Sequence, residues 1–312
     1  MKIYVLDPFH PAGVDYAAQH FEVVRWDDPR VKSWREDADG VMVRGTKIRA
    51  EDLARAKKLK IIGKQGVGYD SIDIEAAKKH GIPVCRTPGV NSEAVAEMAM
   101  TLALSVARRT AEMDRLIRAG AKAERSKLLG VEMWQKSVGV VGMGNIGTRS
   151  ARKWRGAFDA KIIGYDPYVS RDQWPDIPHR RVSQLNSLLS ECDLVTLHVP
   201  LTPETKHLIS KRELALMKKD AILVNTSRGG VVDEAALYEA LKAGRLFGAG
   251  LDVWETEPPP KDHPLLELPN VVATPHAAGG THDTQVRSSM QVAQQVVDAL
   301  QGKPLLPENR VA

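Results

Sequence analysis

The 312 residues are enough for about two domains of ordinary size. With 43% hydrophobic and 27% charged residues, the composition is that of a packed globular chain and excludes disordered and collagen-like classes. The 44 Lys and Arg are interleaved with 39 Asp and Glu, so the formal charge of +5 comes without a basic arm, zinc-finger spacing or RNA-binding aromatics, and no nucleic-acid partner is expected.

From the N-terminus, residues 2–6 read as an opening strand rather than a basic segment ahead of a long apolar run, so no export signal is expected. Short β-branched runs then alternate with helical stretches, with strands at 22–25, 40–43, 61–64 and 83–85 and helices at 50–58 and 73–80. Residues 92–119 predict one long apolar helix with no breaker before Gly120. Its most apolar part, 98–107, is interrupted by Thr101 and Ser105 and falls short of the roughly 18 residues that cross a bilayer, so no membrane association is expected. A second set of strands follows at 138–141, 161–165, 194–197, 222–225, 248–251 and 271–273. This pattern predicts an α/β fold of two doubly wound parallel-sheet domains. A last helix at 281–301 comes after the second sheet is complete and is placed with the first domain. The expected division is a flavodoxin-like domain of residues 1–98 and 287–312 into which residues 99–286 are inserted. Cys85 and Cys192 lie far apart in apolar contexts, which argues against a disulfide framework and for a reducing cytoplasm.

The inserted domain opens with Val138-Gly139-Val140-Val141-Gly142-Met143-Gly144-Asn145-Ile146-Gly147, a Gly-x-Gly-x-x-Gly pattern where a strand meets a helix. Gly142 permits the tight turn, Gly144 lets a pyrophosphate approach the backbone, and Gly147 allows close packing of helix and strand, while the amides around Asn145 and Ile146 face the anion. The next strand ends in Asp166, 24 residues after Gly142, where a carboxylate can accept from the adenosine ribose hydroxyls. That carboxylate would repel a 2′-phosphate, so a Rossmann domain that prefers NAD to NADP is expected; Arg171 is the one nearby group that argues the other way. No metal site is expected.

In a doubly wound sheet the reactive groups belong at the C-terminal ends of the strands. Three candidates stand there. Arg228 leaves the strand 222–225 on a glycine-flanked turn, and its planar fork suits a carboxylate with a neighbouring carbonyl. Glu255 and Glu257 follow the strand 248–251. His276 follows 271–273, and an imidazole oriented by a carboxylate is a natural acid and base for interconverting an alcohol and a ketone.

With these residues together, the sequence resembles the D-isomer-specific 2-hydroxyacid dehydrogenase family over nearly its whole length. The resemblance is carried by the glycine turn, Leu197-His198-Val199-Pro200-Leu201-Thr202, Asn225-Thr226-Ser227-Arg228-Gly229-Gly230, Leu251-Asp252-Val253 through Glu257-Pro258, and Thr274-Pro275-His276. It implies NAD-dependent interconversion of a D-2-hydroxy acid and its 2-oxo acid, with 3-phosphoglycerate, hydroxypyruvate and glyoxylate in view. It further implies that Arg228 grips the substrate, that Glu257 rather than Glu255 is the carboxylate partner, and that His276 carries the proton. Val199, Pro200, Thr226 and Asp252 fall at cofactor positions of the family; Arg44 and the backbone of Val67 and Gly68 fall at substrate positions in the first domain, and Lys64 beside that loop, with Arg44, would suit a second anionic group of the substrate. His198 and His207 are read as structural. A homodimer formed through the long helix is implied as well. A family of NADH-sensing corepressors shares these features without significant turnover and supplies the alternative; formate dehydrogenases carry Gln where this chain has Glu257. With the chain ending at Ala312, feedback through an added regulatory domain is not expected.

Overall fold

Strands covered on both faces need apolar side chains at consecutive positions rather than at alternate ones, and most strands of this chain are of that kind. The structure, a computed structural model, describes residues 1–122, 124–170 and 172–312. It divides into two units, Met1–Asn91 with Gly280–Ala312, and Ser92–Gly279.

The first unit holds strands β1 (Lys2–Val5), β2 (Glu22–Val24), β3 (Gly40–Val43), β4 (Ile61–Lys64) and β5 (Val84–Cys85). They form a parallel sheet in the order β2-β1-β3-β4-β5, the flavodoxin-like order. One face packs Tyr4, Val41, Val43 and Ile62 against Trp34, Leu53 and Ile82. The other packs Ile3, Val5, Met42 and Ile61 against Val292, Val296 and Leu300 of the last helix, His282–Leu300. That helix approaches β4 so closely that a Cβ on Gly63 would stand 2.5 Å from Val296 Cγ2.

The second unit holds β6 (Ser137–Val141), β7 (Lys161–Tyr165), β8 (Arg180–Arg181), β9 (Leu194–Leu197), β10 (Ile222–Asn225), β11 (Gly248–Leu251) and β12 (Val271–Ala273). Their order is β12-β11-β10-β9-β6-β7-β8, all parallel, and it reverses between β6 and β9 as in the doubly wound nucleotide-binding sheets.

Two expectations are corrected here. The sheet has a seventh strand, β8, whose residues Arg180 and Arg181 carry no apolar signal. It forms because β7 leaves an edge open and because Arg181 Nη2 donates to the carbonyls of Asp166 (2.6 Å) and Val169 (2.8 Å), tying this strand to the turn after β7. The long helix is also two helices, Ser92–Ala107 and Thr110–Arg118. The first packs into the second unit, with Leu102, Ala103 and Val106 buried beside β10 and β11. Arg109 breaks it in the left-handed conformation (φ 51°), where its guanidinium makes two bonds to Glu112 and one to the carbonyl of Lys127. Neither Gly nor Pro marks that break. Among the described residues no helix is long and apolar enough to cross a membrane.

Candidate active site

Every strand of the second sheet points the same way, so its C-terminal ends present their loops along one edge. After β6, Gly142 adopts φ 92°, and a Cβ there would meet the carbonyl of His198 at 2.4 Å, so only glycine fits the turn. A Cβ on Gly144, by contrast, would enter open space. Helix Asn145–Phe158 starts here, and its first internal bond runs from Thr148 N to Gly144 O. The amides of Asn145, Ile146 and Gly147 therefore have no acceptor within the helix, which leaves positive dipole ends beside that space. Asp166, at the end of β7, accepts from Met143 N (2.9 Å) through Oδ2 and from Tyr168 N and Val169 N through Oδ1, which fixes its carboxylate next to the turn. After β9, Val199 Cγ1 stands 3.1 Å from the Cβ position of Gly142, and Pro200 accepts from Thr205 Oγ1. After β10, the buried Thr226 Oγ1 has no partner among the described residues. An anion cradle, a ribose-facing carboxylate and an orphaned hydroxyl along one sheet edge suit a dinucleotide. Arg171 lies outside the described residues.

The segment bearing Arg228 is braced by Asn225. Its Oδ1 accepts from Ser227 N (3.0 Å) and Ser227 Oγ (2.7 Å), and its Nδ2 donates to Arg228 O (3.0 Å). The Arg228 guanidinium donates only to Ser227 O among the described residues and has no carboxylate partner there. A half-buried cation left without a counter-ion is ready for an anionic ligand.

His276 also sits in the left-handed region, at φ 52°, which costs a non-glycine residue about 1–3 kcal/mol and persists only where its surroundings impose it. Asp252 imposes it. This fully buried carboxylate accepts from Thr274 Oγ1 (2.5 Å), Ala277 N (2.8 Å) and Ala278 N (2.9 Å), and its carbonyl accepts from His276 N (2.6 Å). The loop is thus pinned on both sides of His276. The imidazole Nδ1 lies 2.7 Å from Glu257 Oε2, and because a carboxylate only accepts, Nδ1 carries the hydrogen. The other oxygen, Glu257 Oε1, accepts from Trp254 N at 3.1 Å. Glu255 is turned to His207, 3.1 Å away. Geometry therefore separates the two glutamates, and it brings Glu257 and His276 together. Trp254, which sequence patterning did not single out, is buried between these segments; a Cβ on Gly229 would stand 1.8 Å from its carbonyl.

His198 is a different kind of histidine. Its Nε2 meets Thr196 Oγ1 at 3.1 Å, its Nδ1 is buried without a partner among the described residues, and burial pushes its pKa down to about 3.

In the first unit, Lys64 Nζ donates to the carbonyls of Arg44 (2.5 Å) and Gln65 (2.9 Å), so its ammonium ties together the chain after β3 and the chain after β4. The Arg44 amide is held by Asp7, and its residue is exposed. Beyond β4, Gly66 O accepts from Thr87 N (3.1 Å) and Val67 O from Arg86 Nη1 (3.4 Å). Since the carbonyl and amide of one peptide point in opposite directions, these bonds turn the amides of Val67 and Gly68 away from Arg86 and Thr87. Neither amide has an acceptor among the described residues.

Comparison with known proteins gives the family of the chain. The model of the family described as D-isomer specific 2-hydroxyacid dehydrogenase, NAD binding domain, matches residues 100–278. The chain is 42% identical to D-3-phosphoglycerate dehydrogenase of Methanocaldococcus jannaschii, a match that covers 100% of this chain and 59% of that protein, so the chain spans less than two thirds of that relative. It is 41% identical to glyoxylate reductase of Korarchaeum cryptofilum, over 99% of this chain and 95% of that protein. Among solved structures, D-lactate dehydrogenase of Aquifex aeolicus in complex with NAD and lactic acid superposes with a TM-score of 0.85 at 30% identity, covering 100% of this chain and 99% of that one. The chain belongs to the D-isomer specific 2-hydroxyacid dehydrogenase family, and its second unit carries the family's NAD-binding domain.

Proposed function

We propose that the protein interconverts a D-2-hydroxy acid and its 2-oxo acid. The observation that carries this reading is the 2.7 Å bond between His276 Nδ1 and Glu257 Oε2, which leaves the imidazole Nε2 as the atom that can exchange a proton with substrate. NADH, held by the amides of Asn145, Ile146 and Gly147 and by Asp166 and Thr226, supplies the hydride when bound. In the reductive direction that hydride would go to the carbonyl carbon, and His276 Nε2 would give the carbonyl oxygen its proton. Arg228 holds the substrate carboxylate and polarises the carbonyl, with its charge uncompensated by any described carboxylate. Glu257 holds the ring and stabilises the imidazolium that donates.

Val67 and Gly68, with two unoccupied amides, are assigned to an anionic group of the substrate. Arg44, exposed beyond β3, is assigned to the same task, and Lys64 to holding Arg44 and Gln65 in place. The names of the relatives point to glyoxylate, hydroxypyruvate and the oxidised form of 3-phosphoglycerate as the acids to try. A homodimer is also proposed: Ile117, Leu129 and Trp134 of the second unit expose 71%, 70% and 55% of their surface, and an interface would cover apolar side chains of this kind. Cys85 and Cys192 are buried free thiols that burial pushes up to about 12, as suits a reducing cytoplasm.

The test is loss of NADH absorbance, with NADPH in parallel, against glyoxylate, hydroxypyruvate, phosphohydroxypyruvate, pyruvate and bulkier 2-oxo acids. Turnover of at least one acid with NADH is expected. Tight NADH binding with no turnover of any acid would instead support the sensor reading. Light scattering checks the dimer.

A further inference from the structure

We propose that Glu234 is a positioning residue for the acid–base pair, acting through the main chain at Trp254 and Glu255; the proposal rests on the roles given above to Glu257 and His276. Glu234 is the first residue of helix Glu234–Lys242 and uses both carboxylate oxygens. Oε1 accepts from Glu255 N at 2.7 Å, and Oε2 meets His263 Nε2 at 3.0 Å. The two side chains are only 13% and 17% exposed, so water does little to replace either bond. The tautomer of His263 follows from its other nitrogen. Nδ1 accepts from Leu265 N (3.3 Å), capping helix Pro264–Glu267, so Nε2 bears the hydrogen and donates to Glu234.

The clamp acts on the segment that sets Glu257. Glu255 N, which Glu234 holds, is one residue from Trp254 N, which donates to Glu257 Oε1 at 3.1 Å. Trp254 is 3% exposed and touches every strand-end segment of the proposed chemistry. Its indole Nε1 donates to Thr274 O (3.1 Å), two residues before His276; its carbonyl lies against Gly229, beside Arg228; and its ring meets the His263 ring edge-on at 5.4 Å. Glu234 and His263 thus brace Trp254 from its main chain and from its ring. The His207–Glu255 pair on the same segment is 40% exposed at both residues and contributes little by comparison. Losing the Glu234 acceptor frees Glu255 N, lets the Trp254 amide move, and turns Glu257 away from the line of its bond to His276. A displacement of about 1 Å in such a group costs about a hundredfold in rate.

The test is a double-mutant cycle on the full chain, read as the single-turnover rate of NADH oxidation by whichever 2-oxo acid is turned over best. Glu234→Ala is expected to lower that rate about ten- to hundredfold while substrate KM and NADH affinity stay within about twofold. Glu234→Gln has one carbonyl oxygen to offer two donors and should fall between. In a Glu257→Gln background, Glu234→Ala should cost less than about twofold more, since the two act on one bond. A normal rate in Glu234→Ala, or the same loss in both backgrounds, overturns the positioning role. A normal rate in Glu257→Gln overturns the acid–base reading itself and the proposal with it. Thermal denaturation checks that each variant folds, and if Glu234→Ala does not, the cycle is run with Glu234→Gln.

Discussion

The ends of β9 and β12 each deliver a histidine just beyond a strand of the same sheet, and the two have opposite properties. His198 lies beside the glycine turn with its imidazole bonded only to Thr196 among the described residues and its Nδ1 buried, and burial depresses its pKa to about 3, so it stays neutral in ordinary conditions. His276 is held in a left-handed backbone by Asp252, keeps 46% of its side chain exposed, and rests its Nδ1 on a carboxylate. Residue type and sheet position are shared; access to water and a partner that accepts a hydrogen bond are not. A strand-end histidine becomes a proton carrier through those two features, and burial alone makes a spacer.

Four measurements would break or sharpen that contrast. His276→Ala is expected to slow reduction of the 2-oxo acid by about a hundred- to ten-thousandfold with NADH still bound, while His198→Asn stays within about tenfold; near-equal losses would erase the distinction. Glu257→Gln keeps the size of the side chain but removes the charge, and should cost about ten- to hundredfold in single-turnover rate. Gly142→Ala tests the turn that packs against the His198 carbonyl. With φ at 92° and a Cβ 2.4 Å from the His198 carbonyl, it should lose about 1–3 kcal/mol of stability and bind NADH more weakly, as read by thermal melting and fluorescence titration.

A further expected effect is on stability against pH. His198 has a folded pKa of about 3 against an ordinary 6.5, so the unfolded chain takes up a proton that the folded one refuses. Its share of stability is full above 6.5 and declines as pH falls toward about 3, by at most about 1.4 kcal/mol per pH unit. His198→Asn should flatten that limb of the acid denaturation curve and leave neutral-pH stability largely alone. An unchanged limb would show that His198 titrates normally.

How legible these features are in the sequence follows from how local their causes are. The strands Lys161–Tyr165, Leu194–Leu197 and Ile222–Asn225 can be read directly because strands buried on both faces need an unbroken apolar run. Gly142, Asp166, Arg228 and His276 stand out as candidates because each sits at a short distance from such a strand, whereas position alone leaves Glu255 and Glu257 open and it is the family resemblance that picks Glu257. β8 is not, since two arginines form a strand only because an edge is open beside them. Nor is the break at Arg109, which depends on a guanidinium reaching Glu112 and Lys127 rather than on a glycine. Trp254, Glu234 and His263 escape notice for the same reason: Glu234 and His263 are 29 residues apart and meet only when the segments after β10 and β11 have come together.

The seat of the last helix bears on the order in which the chain can fold during synthesis. Residues 92–279 are made without interruption and contain their whole core, so they can fold as soon as they leave the ribosome. The first unit must wait. The face formed by Ile3, Val5, Met42 and Ile61 is covered by Val292, Val296 and Leu300, and Gly63 has room for nothing larger because Val296 fills that place. A released chain truncated after Gly279 should therefore show a protease-resistant second unit and a first unit that is still cut, its open sheet a target for chaperones while the final helix is missing.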